Sequence, residues 1–307
     1  NAATRDSMAR TLEFSGLTQT GINSSYKSLI ALLSNLDPKV KFQIANSIWH
    51  RPDLLVEQAF KEVNSLHFNA EINSINFSDP GAARTINGWV DRSTNGKIKE
   101  IVPDPISRDI VMYLINAIYF KGTWTYSFDP KNTRDDSFTL PNGSKTACKM
   151  MYLKGNLRCT STDQVQAMDL AFGDAGFSMT ILLPKVGTNI DEFTGRLTQQ
   201  QWISIVSGLA TKEAELYFPK FKLEYSKKLN DVLKAMGMPI AFSPDLADFT
   251  NIDKRGGLFI SDVQHKTFVQ VDEEGTEAAA VTSVGVGRTS IGDTFVMRND
   301  RPFVFVI

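Results

Sequence analysis

The chain has 307 residues, 33 basic and 34 acidic side chains, a net charge of −1 and 42% hydrophobic residues. This balance is typical of a globular protein and gives no electrostatic attraction to nucleic acid. No stretch approaches the ~20 apolar residues of a membrane span, and the N-terminal residues do not resemble a signal peptide. Nucleic acid and membranes are therefore not expected partners.

Few side chains are available for metal or covalent chemistry. Cys148 and Cys159 are the only two cysteines, and their spacing fits no zinc-binding pattern. We favour two separate thiols, with one disulfide between neighbouring strands as the alternative. The chain lacks phosphate-loop, dinucleotide-binding, nucleophile-elbow and HExxH motifs, and Asp135-Asp136 is interpreted as a solvated loop. We expect no enzyme, no metal and no cofactor.

Apolar spacing predicts alternating helices and strands in the first part of the chain. The predicted elements are a helix over 24–36, a strand over 42–49, a helix over 56–67 and a helix from Asp79-Pro80 to Asn95-Gly96. The Asp79 carboxylate is expected to cap the last of these helices. Its apolar face, which includes Ile86 and Trp89, is expected to lie on a sheet.

Residues 111–120 are predicted to form a central strand that is covered on both sides. One face carries Val111, Ile115 and Ala117, and the other carries Met112, Leu114, Ile118 and Phe120. Strands with two apolar faces are typical of buried sheets. Asn116 shares the second face, where a buried amide needs hydrogen-bond partners.

The second half of the chain adds mostly strands. They are predicted over 166–171, 177–183, 215–223, 258–271, 294–297 and 303–307, with a helix over 229–236. The sum predicts an α+β fold with mixed or antiparallel sheets.

Residues 273–293 form an unusually long stretch of small side chains, for which a flexible linker is the simplest interpretation. The alternation of side chains favours a strand with one buried face instead. Small or β-branched residues occupy alternate positions from Thr276 to Val286, whereas Glu277, Ser283 and two glycines lie between them. The segment is therefore predicted to be a strand that a sheet of the fold can accommodate. It is predicted to end in an accessible protease cleavage sequence at Arg288-Thr289-Ser290.

Motifs along nearly the whole chain resemble the serpin family. Glu273 to Ala280 resembles the hinge of an inhibitory serpin, and residues 116–124 (Asn-Ala-Ile-Tyr-Phe-Lys-Gly-Thr-Trp) resemble its central-sheet motif. Further matches follow in family order at residues 86–90, 94–98, 218–221, 229–230, 236–238, 247–249, 265–266 and 301–303. Agreement of this many independent motifs makes chance an unsatisfactory explanation.

The resemblance implies one serpin domain over 1–307, with three β-sheets, eight or nine helices and a mobile reactive-centre loop at about 273–293. It also implies a monomeric inhibitor that acts as a suicide substrate. The target serine protease cleaves the loop, forms an acyl-enzyme and is trapped when the loop inserts into the largest sheet. The alternative is a non-inhibitory serpin that serves as a carrier, a chaperone or a protease substrate.

The resemblance also assigns roles to individual residues. The hinge comprises Glu273, Glu274, Gly275, Thr276, Glu277, Ala278, Ala279 and Ala280. Asn116 and His265 match the polar cluster beneath the opening strands, called the shutter. Trp124 and Glu273 match the top of the sheet, called the breach, where the loop enters.

Two bonds are candidates for cleavage. The long cation of Arg288 fits the acidic pocket of a trypsin-like protease, so we favour Arg288–Thr289. Counting from the hinge glutamate gives Thr289–Ser290 instead, which suits elastase-like or subtilisin-like proteases. Against the family pattern, the chain is expected to lack the first helices and the last strand. We expect an extracellular or secreted protein, in the periplasm or at the cell surface if the source is bacterial.

Overall fold

A computed structural model describes residues 2–275 and 294–307. Its seven α-helices within these residues are α1 (Ala2–Thr11), α2 (Gln19–Ser34), α3 (Gln58–Phe68), α4 (Ala82–Ser93), α5 (Ile190–Arg196), α6 (Gln199–Ser207) and α7 (Asn230–Ala235). No helix in the described part of the chain is long and apolar enough to cross a bilayer.

Twelve strands accompany these helices in the described residues. They are β1 (Val40–His50), β2 (Ala70–Ser74), β3 (Met112–Gly122), β4 (Arg134–Thr139), β5 (Lys145–Ser161), β6 (Val165–Phe172), β7 (Phe177–Pro184), β8 (Ala210–Pro219), β9 (Phe221–Lys228), β10 (Gln264–Val271), β11 (Phe295–Arg298) and β12 (Val304–Val306).

The strands form three sheets. The first has the order β2-β1-β3, the second pairs β10 with β9, and the third has the order β11-β8-β5-β6-β7-β12 with β4 added on β5. The β1–β2 and β8–β11 pairs are parallel, whereas the β5–β6, β5–β8 and β6–β7 pairs are antiparallel. The α+β class, the three sheets and the mixed pairing are confirmed. The described residues form seven α-helices, where the resemblance implied eight or nine.

The chain divides into two compact units. The first takes residues 1–35, 42–119 and 223–268, and the second takes residues 36–41, 120–222 and 269–307. The single domain expected over 1–307 stays a prediction.

Helix α4 covers one face of the first sheet, as the apolar spacing predicts. Ile86 and Val90 are fully buried, and they share a core cluster with Ile115 and Ala117 of β3. Ile86 and Val90 are four residues apart in α4, so both side chains lie on the same side of the helix. The predicted packing of this helix on the sheet is confirmed.

The other face of β3 differs from its prediction. Leu114 is 65% exposed and Ile118 is 53% exposed, so among the described residues this face is uncovered at these two positions, whereas Phe120 at its end packs on Phe172. Within the residues that the structure describes, the strand also lies at the edge of its sheet rather than at the centre. Two apolar faces therefore did not mean burial on both sides, because an apolar side chain alone does not show which neighbour covers it.

The boundaries of three other elements also needed correction. Helix α4 is capped by Gly81 and not by Asp79, whose carboxylate accepts a hydrogen bond from Asn76 instead. The predicted strand over 215–223 is two strands, because β8 ends at Pro219 and β9 begins at Phe221. The strand predicted from 258 begins only at Gln264.

Asp135 and Asp136 belong to strand β4 and not to a solvated loop. Both residues pair with β5, in register with Lys149 and Cys148. The Asp135 carboxylate forms an ion pair with the Lys149 ammonium at 2.8 Å, and Asp136 pairs with Arg298. Acidic side chains are compatible with a strand here because each has a cation beside it.

The third sheet lies in the second unit and carries its core. Phe128, Phe172 and Phe218 have no exposed surface in this cluster. Strand β5 also holds both cysteines, and both are free, so the interpretation as separate thiols is confirmed.

We predict that Ile86→Ala lowers the free energy of unfolding by about 2–5 kcal/mol, because the truncated side chain leaves a cavity between α4 and β3. Urea denaturation followed by circular dichroism measures the loss. Leu246→Ala is the matched control in the same unit, since Leu246 is 66% exposed, and it should change the free energy by less than about 0.5 kcal/mol. Equal effects of the two variants would show that the assigned packing is incorrect.

Candidate functional site

Of the predicted hinge, the structure describes Glu273, Glu274 and Gly275. The hinge residues from Thr276 to Ala280 lie outside the described residues, as do Arg288, Thr289 and Ser290 of the two candidate bonds. The described part of the hinge region therefore runs from the end of β10 to Gly275.

The chain reverses direction immediately after β10. The Asp272 amide donates to the Gly275 carbonyl at 3.1 Å, and the Gly275 amide donates back to the Asp272 carbonyl at 3.3 Å. Such reciprocal bonds define a two-residue β-hairpin turn with Glu273 and Glu274 at its tip. Gly275 then forms an antiparallel bridge with Thr123, at the end of β3.

Position 275 admits only glycine. Its φ angle is +138°, and a Cβ atom there would lie 2.1 Å from the Gly122 carbonyl oxygen. Side chains other than glycine are strained at this angle, and no heavy atom tolerates so short a contact. The hinge and the end of β3 can approach this closely only because the hinge has no side chain at this position.

Trp124 binds the turn formed by residues 272–275. Its indole N–H donates to the Asp272 carbonyl at 3.0 Å, and its backbone amide donates to the Glu274 carbonyl at 2.8 Å. The ring is buried and stacks on Phe172, with 4.4 Å between centroids and 14° between planes. Two hydrogen bonds and an aromatic stack therefore fix the turn to the core of the second unit.

The Glu273 side chain anchors the tip of the turn. Its carboxylate lies 2.6 Å from the Lys220 ammonium and accepts a hydrogen bond of 2.8 Å from the Thr133 hydroxyl. Burial raises the pKa of this carboxyl, but the Lys220 and Thr133 hydrogen bonds more than offset it, so the pKa lies below its ordinary value of 4.5. At neutral pH the group is ionised and paired.

We call the residues that hold the turn the hinge seat: Thr123, Trp124, Thr133, Phe172 and Lys220. Trp124 and Glu273 were predicted to lie together at the breach, and the structure brings them to the same turn; the breach role itself stays a prediction. The contact between Lys220 and the hinge was not predicted, although the matched 218–221 motif contains this residue. No sequence signal linked Thr133 or Phe172 to the hinge.

Asn116 lies elsewhere, in the first unit. It is exposed among the described residues, and its amide N–H₂ donates to the Asn46 side-chain oxygen at 2.8 Å. Asn46 in turn donates to the Phe68 carbonyl at 2.6 Å. The expected buried amide is therefore an exposed one with a partner. His265 lies in β10 but its side chain is outside the description, so the shutter role of Asn116 and His265 stays a prediction.

The arrangement as a whole suits strand positioning. The Glu273 carboxylate pairs with the Lys220 ammonium, and the Trp124 indole binds a backbone carbonyl. What the site presents is the end of β3, paired with Gly275.

We predict that Glu273→Gln lowers the free energy of unfolding at pH 7 by about 1–3 kcal/mol, because Lys220 loses a buried charged partner. Since the folded-state pKa lies below 4.5, the carboxylate stabilises the fold above that pH. This stabilisation disappears as the pH falls through the folded-state pKa. The variant should therefore show a weaker loss of stability in acid than the wild type.

Denaturation at a series of pH values tests this prediction. Glu213→Gln is the matched control because the Glu213 carboxylate makes a more exposed ion pair with Lys154 at 3.3 Å. Its effect should stay below about 1 kcal/mol. If Glu273→Gln behaved like this control at every pH, the anchoring role of the Glu273 carboxylate would be refuted.

Comparisons with known proteins agree on one family. The family model described as Serpin (serine protease inhibitor) matches residues 1–307. Serpin B10 of Rhinolophus ferrumequinum is 32% identical over 306 residues, which cover 97% of this chain and 77% of that protein. An uncharacterized serpin-like protein of Methanosarcina acetivorans is 30% identical over 295 residues, covering 95% of this chain and 69% of that protein.

Solved structures give the same result. The thermophilic serpin tengpin in its native state is 31% identical, with a TM-score of 0.87, and the match covers 98% of this chain and 78% of tengpin. Human thyroxine-binding globulin is 25% identical, with a TM-score of 0.86 and coverage of 98% and 81%. The family model, the relatives and the fold lead to one conclusion: the chain belongs to the serpin family of serine protease inhibitors.

Proposed function

We propose that this serpin inhibits its target protease as a suicide substrate, by inserting the cleaved segment after Gly275 into a sheet. The observation that carries this proposal is the antiparallel bridge between Gly275 and Thr123. In this proposal the bridge is the first pair of a strand that the segment 276–293 would form on insertion.

The geometry of the turn sets the direction of that strand. Because Gly275 pairs antiparallel with Thr123 and with Asp272, the residues after it would continue antiparallel to the ends of β3 and β10. The alternation of side chains then places Thr276, Ala278 and Ala280 on one face. Small side chains on that face suit a strand that must enter between existing ones.

Insertion would supply the free energy for trapping. Each ladder hydrogen bond gives ~0.5–1.5 kcal/mol, and each buried Val gives ~1.5–3 kcal/mol. A strand from Thr276 to Val286 would therefore gain on the order of 10 kcal/mol, comparable with the whole stability of a typical domain. The intact protein would then be held in its uninserted state by a kinetic barrier.

The target protease supplies all the covalent chemistry in this mechanism. Its serine hydroxyl attacks the carbonyl carbon of the cleaved bond, and the peptide C–N bond breaks to leave a new amino terminus on the downstream fragment. The upstream carbonyl remains attached to the protease as an ester. If insertion is faster than water attack on this ester, the protease stays covalently bound.

We propose Arg288–Thr289 as the cleaved bond and a trypsin-like enzyme as the target, because Arg288 matches an acidic specificity pocket. Thr289–Ser290 is the alternative bond, and it would point to an elastase-like or subtilisin-like enzyme. A non-inhibitory role as a carrier is the second candidate. The similarity to thyroxine-binding globulin, which by its name binds thyroxine, favours that role.

We predict that an equimolar mixture with trypsin gives a covalent complex on a denaturing gel, at the mass of trypsin plus the inhibitor without its C-terminal peptide. Mass spectrometry of the released peptide identifies the bond: a peptide starting at Thr289 supports Arg288, and one starting at Ser290 supports Thr289. Elastase and subtilisin are tested in parallel. Cleaved inhibitor with no complex for any of the three enzymes would favour the non-inhibitory candidate.

We predict that Thr276→Arg converts the inhibitor into a substrate, because insertion would bury an unpaired charge. Glu277→Arg is the matched control, since it places the same side chain on the alternate face of the strand. Gel densitometry of complex against cleaved inhibitor separates the two. Trapping by Thr276→Arg at the wild-type level would contradict the insertion model.

A further inference from the structure

The buried carboxylate of Asp37 holds the turn between β6 and β7. This turn is distant from Asp37 in the sequence and lies beside the hinge seat. Asp37 is 4% exposed. Its Oδ2 accepts hydrogen bonds from the Asp174 amide at 2.7 Å and the Gly176 amide at 3.1 Å, and its Oδ1 accepts one from the Lys39 amide at 2.9 Å. Residues 173–176 join β6 to β7, so Asp37 closes the turn of that hairpin from outside.

The turn is shaped to receive this carboxylate. A Cβ atom on Gly176 would lie 2.9 Å from the Asp37 Cβ, which leaves no room for a side chain there. Burial raises the pKa of Asp37, but the three backbone amides more than offset it, so the pKa lies below its ordinary value of 3.8. At neutral pH the group is therefore an anion that is solvated by backbone N–H groups.

An exposed ion pair lies beside this contact. The Lys39 ammonium is 2.5 Å from the Asp174 carboxylate, and both side chains are more than half exposed. Such a pair contributes little. It uses the side chain of Asp174, whereas Asp37 uses the backbone amide of the same residue, so the two contacts can be removed separately.

The turn held by Asp37 is bonded directly to the hinge seat. The Gly173 amide donates to the Thr123 carbonyl at 2.9 Å, and the Thr125 amide donates to the Ala171 carbonyl at 2.8 Å. Trp124 and Phe172 form an antiparallel bridge between these bonds. The segment 123–125 therefore has the β6–β7 hairpin on one side and Gly275 of the hinge on the other.

We infer that Asp37 is a positioning residue for loop insertion: it fixes the β6–β7 hairpin, which holds the end of β3 where the hinge forms its first pair. This inference rests on the proposed function, because positioning matters only if the segment after Gly275 inserts. Asp37 touches neither the cleaved bond nor the protease in this role. It acts through Phe172, Gly173 and Thr123.

The consequence is kinetic. If the β6–β7 hairpin is loosened, the end of β3 can shift. The Thr123–Gly275 pair then forms less often, and insertion of the strand slows. Water attack on the acyl-enzyme is a property of the protease and keeps its rate. The ratio of cleaved inhibitor to covalent complex should therefore rise by the factor by which insertion slows, and we expect about tenfold, or about 1.4 kcal/mol on the insertion barrier.

The test is this ratio, measured on denaturing gels after reaction of the full chain with trypsin, or with elastase or subtilisin if one of these is trapped instead. Asp37→Ala should raise the ratio about tenfold. Asp37→Asn keeps one oxygen acceptor for the Asp174 and Gly176 amides and should give an intermediate value. Asp174→Asn is the control, since it removes only the exposed ion pair, and its ratio should equal that of the wild type.

Two further measurements separate positioning from general stability. The second-order rate constant of association with the protease should be the same in all variants, because the cleaved segment is unchanged. A merely structural role would lower the melting temperature and leave the ratio unaltered. If Asp37→Ala does not fold, Gly176→Ala weakens the same contact from the other side and should raise the ratio.

The outcomes distinguish the two proposals. A wild-type complex together with an unaltered ratio in Asp37→Ala or Gly176→Ala overturns the positioning role and leaves the inhibitor function intact. A wild type that forms no complex with trypsin, elastase or subtilisin overturns the inhibitor function, and the positioning role falls with it. An increased ratio in Asp174→Asn equal to that in Asp37→Ala would also reject Asp37, since the ion pair would then explain the effect.

Discussion

The contact between the Gly275 backbone and the end of β3 is the constraint on which the rest of the site depends. Even a methyl group at position 275 would lie 2.1 Å from the Gly122 carbonyl oxygen. So close an approach requires both partners to be held firmly, because a small shift of either one breaks the pair with Thr123. The hinge seat does this for the turn, and the β6–β7 hairpin does it for the segment 123–125.

Two buried carboxylates stabilise these partners by different means. Glu273 is paired with the Lys220 ammonium, whereas Asp37 accepts hydrogen bonds from three backbone amides. A cation on a long side chain can release its partner without disturbing the backbone, since only side-chain torsions change. Amides in a tight turn cannot do so without unfolding the turn. In the proposed mechanism, the Glu273–Lys220 contact on the hinge side would thus be the releasable one, and the Asp37 contact on the supporting side would be the rigid one.

The sequence predicted this site in part, and the limits have a physical origin. The apolar repeat of α4 and the inward face of β3 were found because burial leaves a periodic pattern, and the matched motifs placed Trp124 and Glu273 together, which the structure brings to one turn. The partners of the buried carboxylates were not found. Glu273 meets Lys220 across 53 residues, and Asp37 meets the Gly176 amide across 139. A backbone amide has no identity in the sequence, so nothing in the linear pattern marks Gly176 as a ligand of Asp37. The exposure of Leu114 and Ile118 on β3 was missed for a related reason, since these residues are as apolar as those of a covered strand.

The preformed pair at Gly275 also bears on how insertion could be fast enough to trap a protease. A strand that pairs one residue out of register turns every side chain to the opposite face, which here would send Glu277 inward in place of Thr276. In the proposed mechanism, the reciprocal bonds between Asp272 and Gly275 would set the register before cleavage. Part of the entropy of closing the hinge against β3 would then already be lost in the intact protein. Insertion would be propagation from an existing pair and not a search for the first one, and propagation is the faster process wherever nucleation is the costly step. Trapping by this route would therefore require a rigid first pair next to a segment of small side chains.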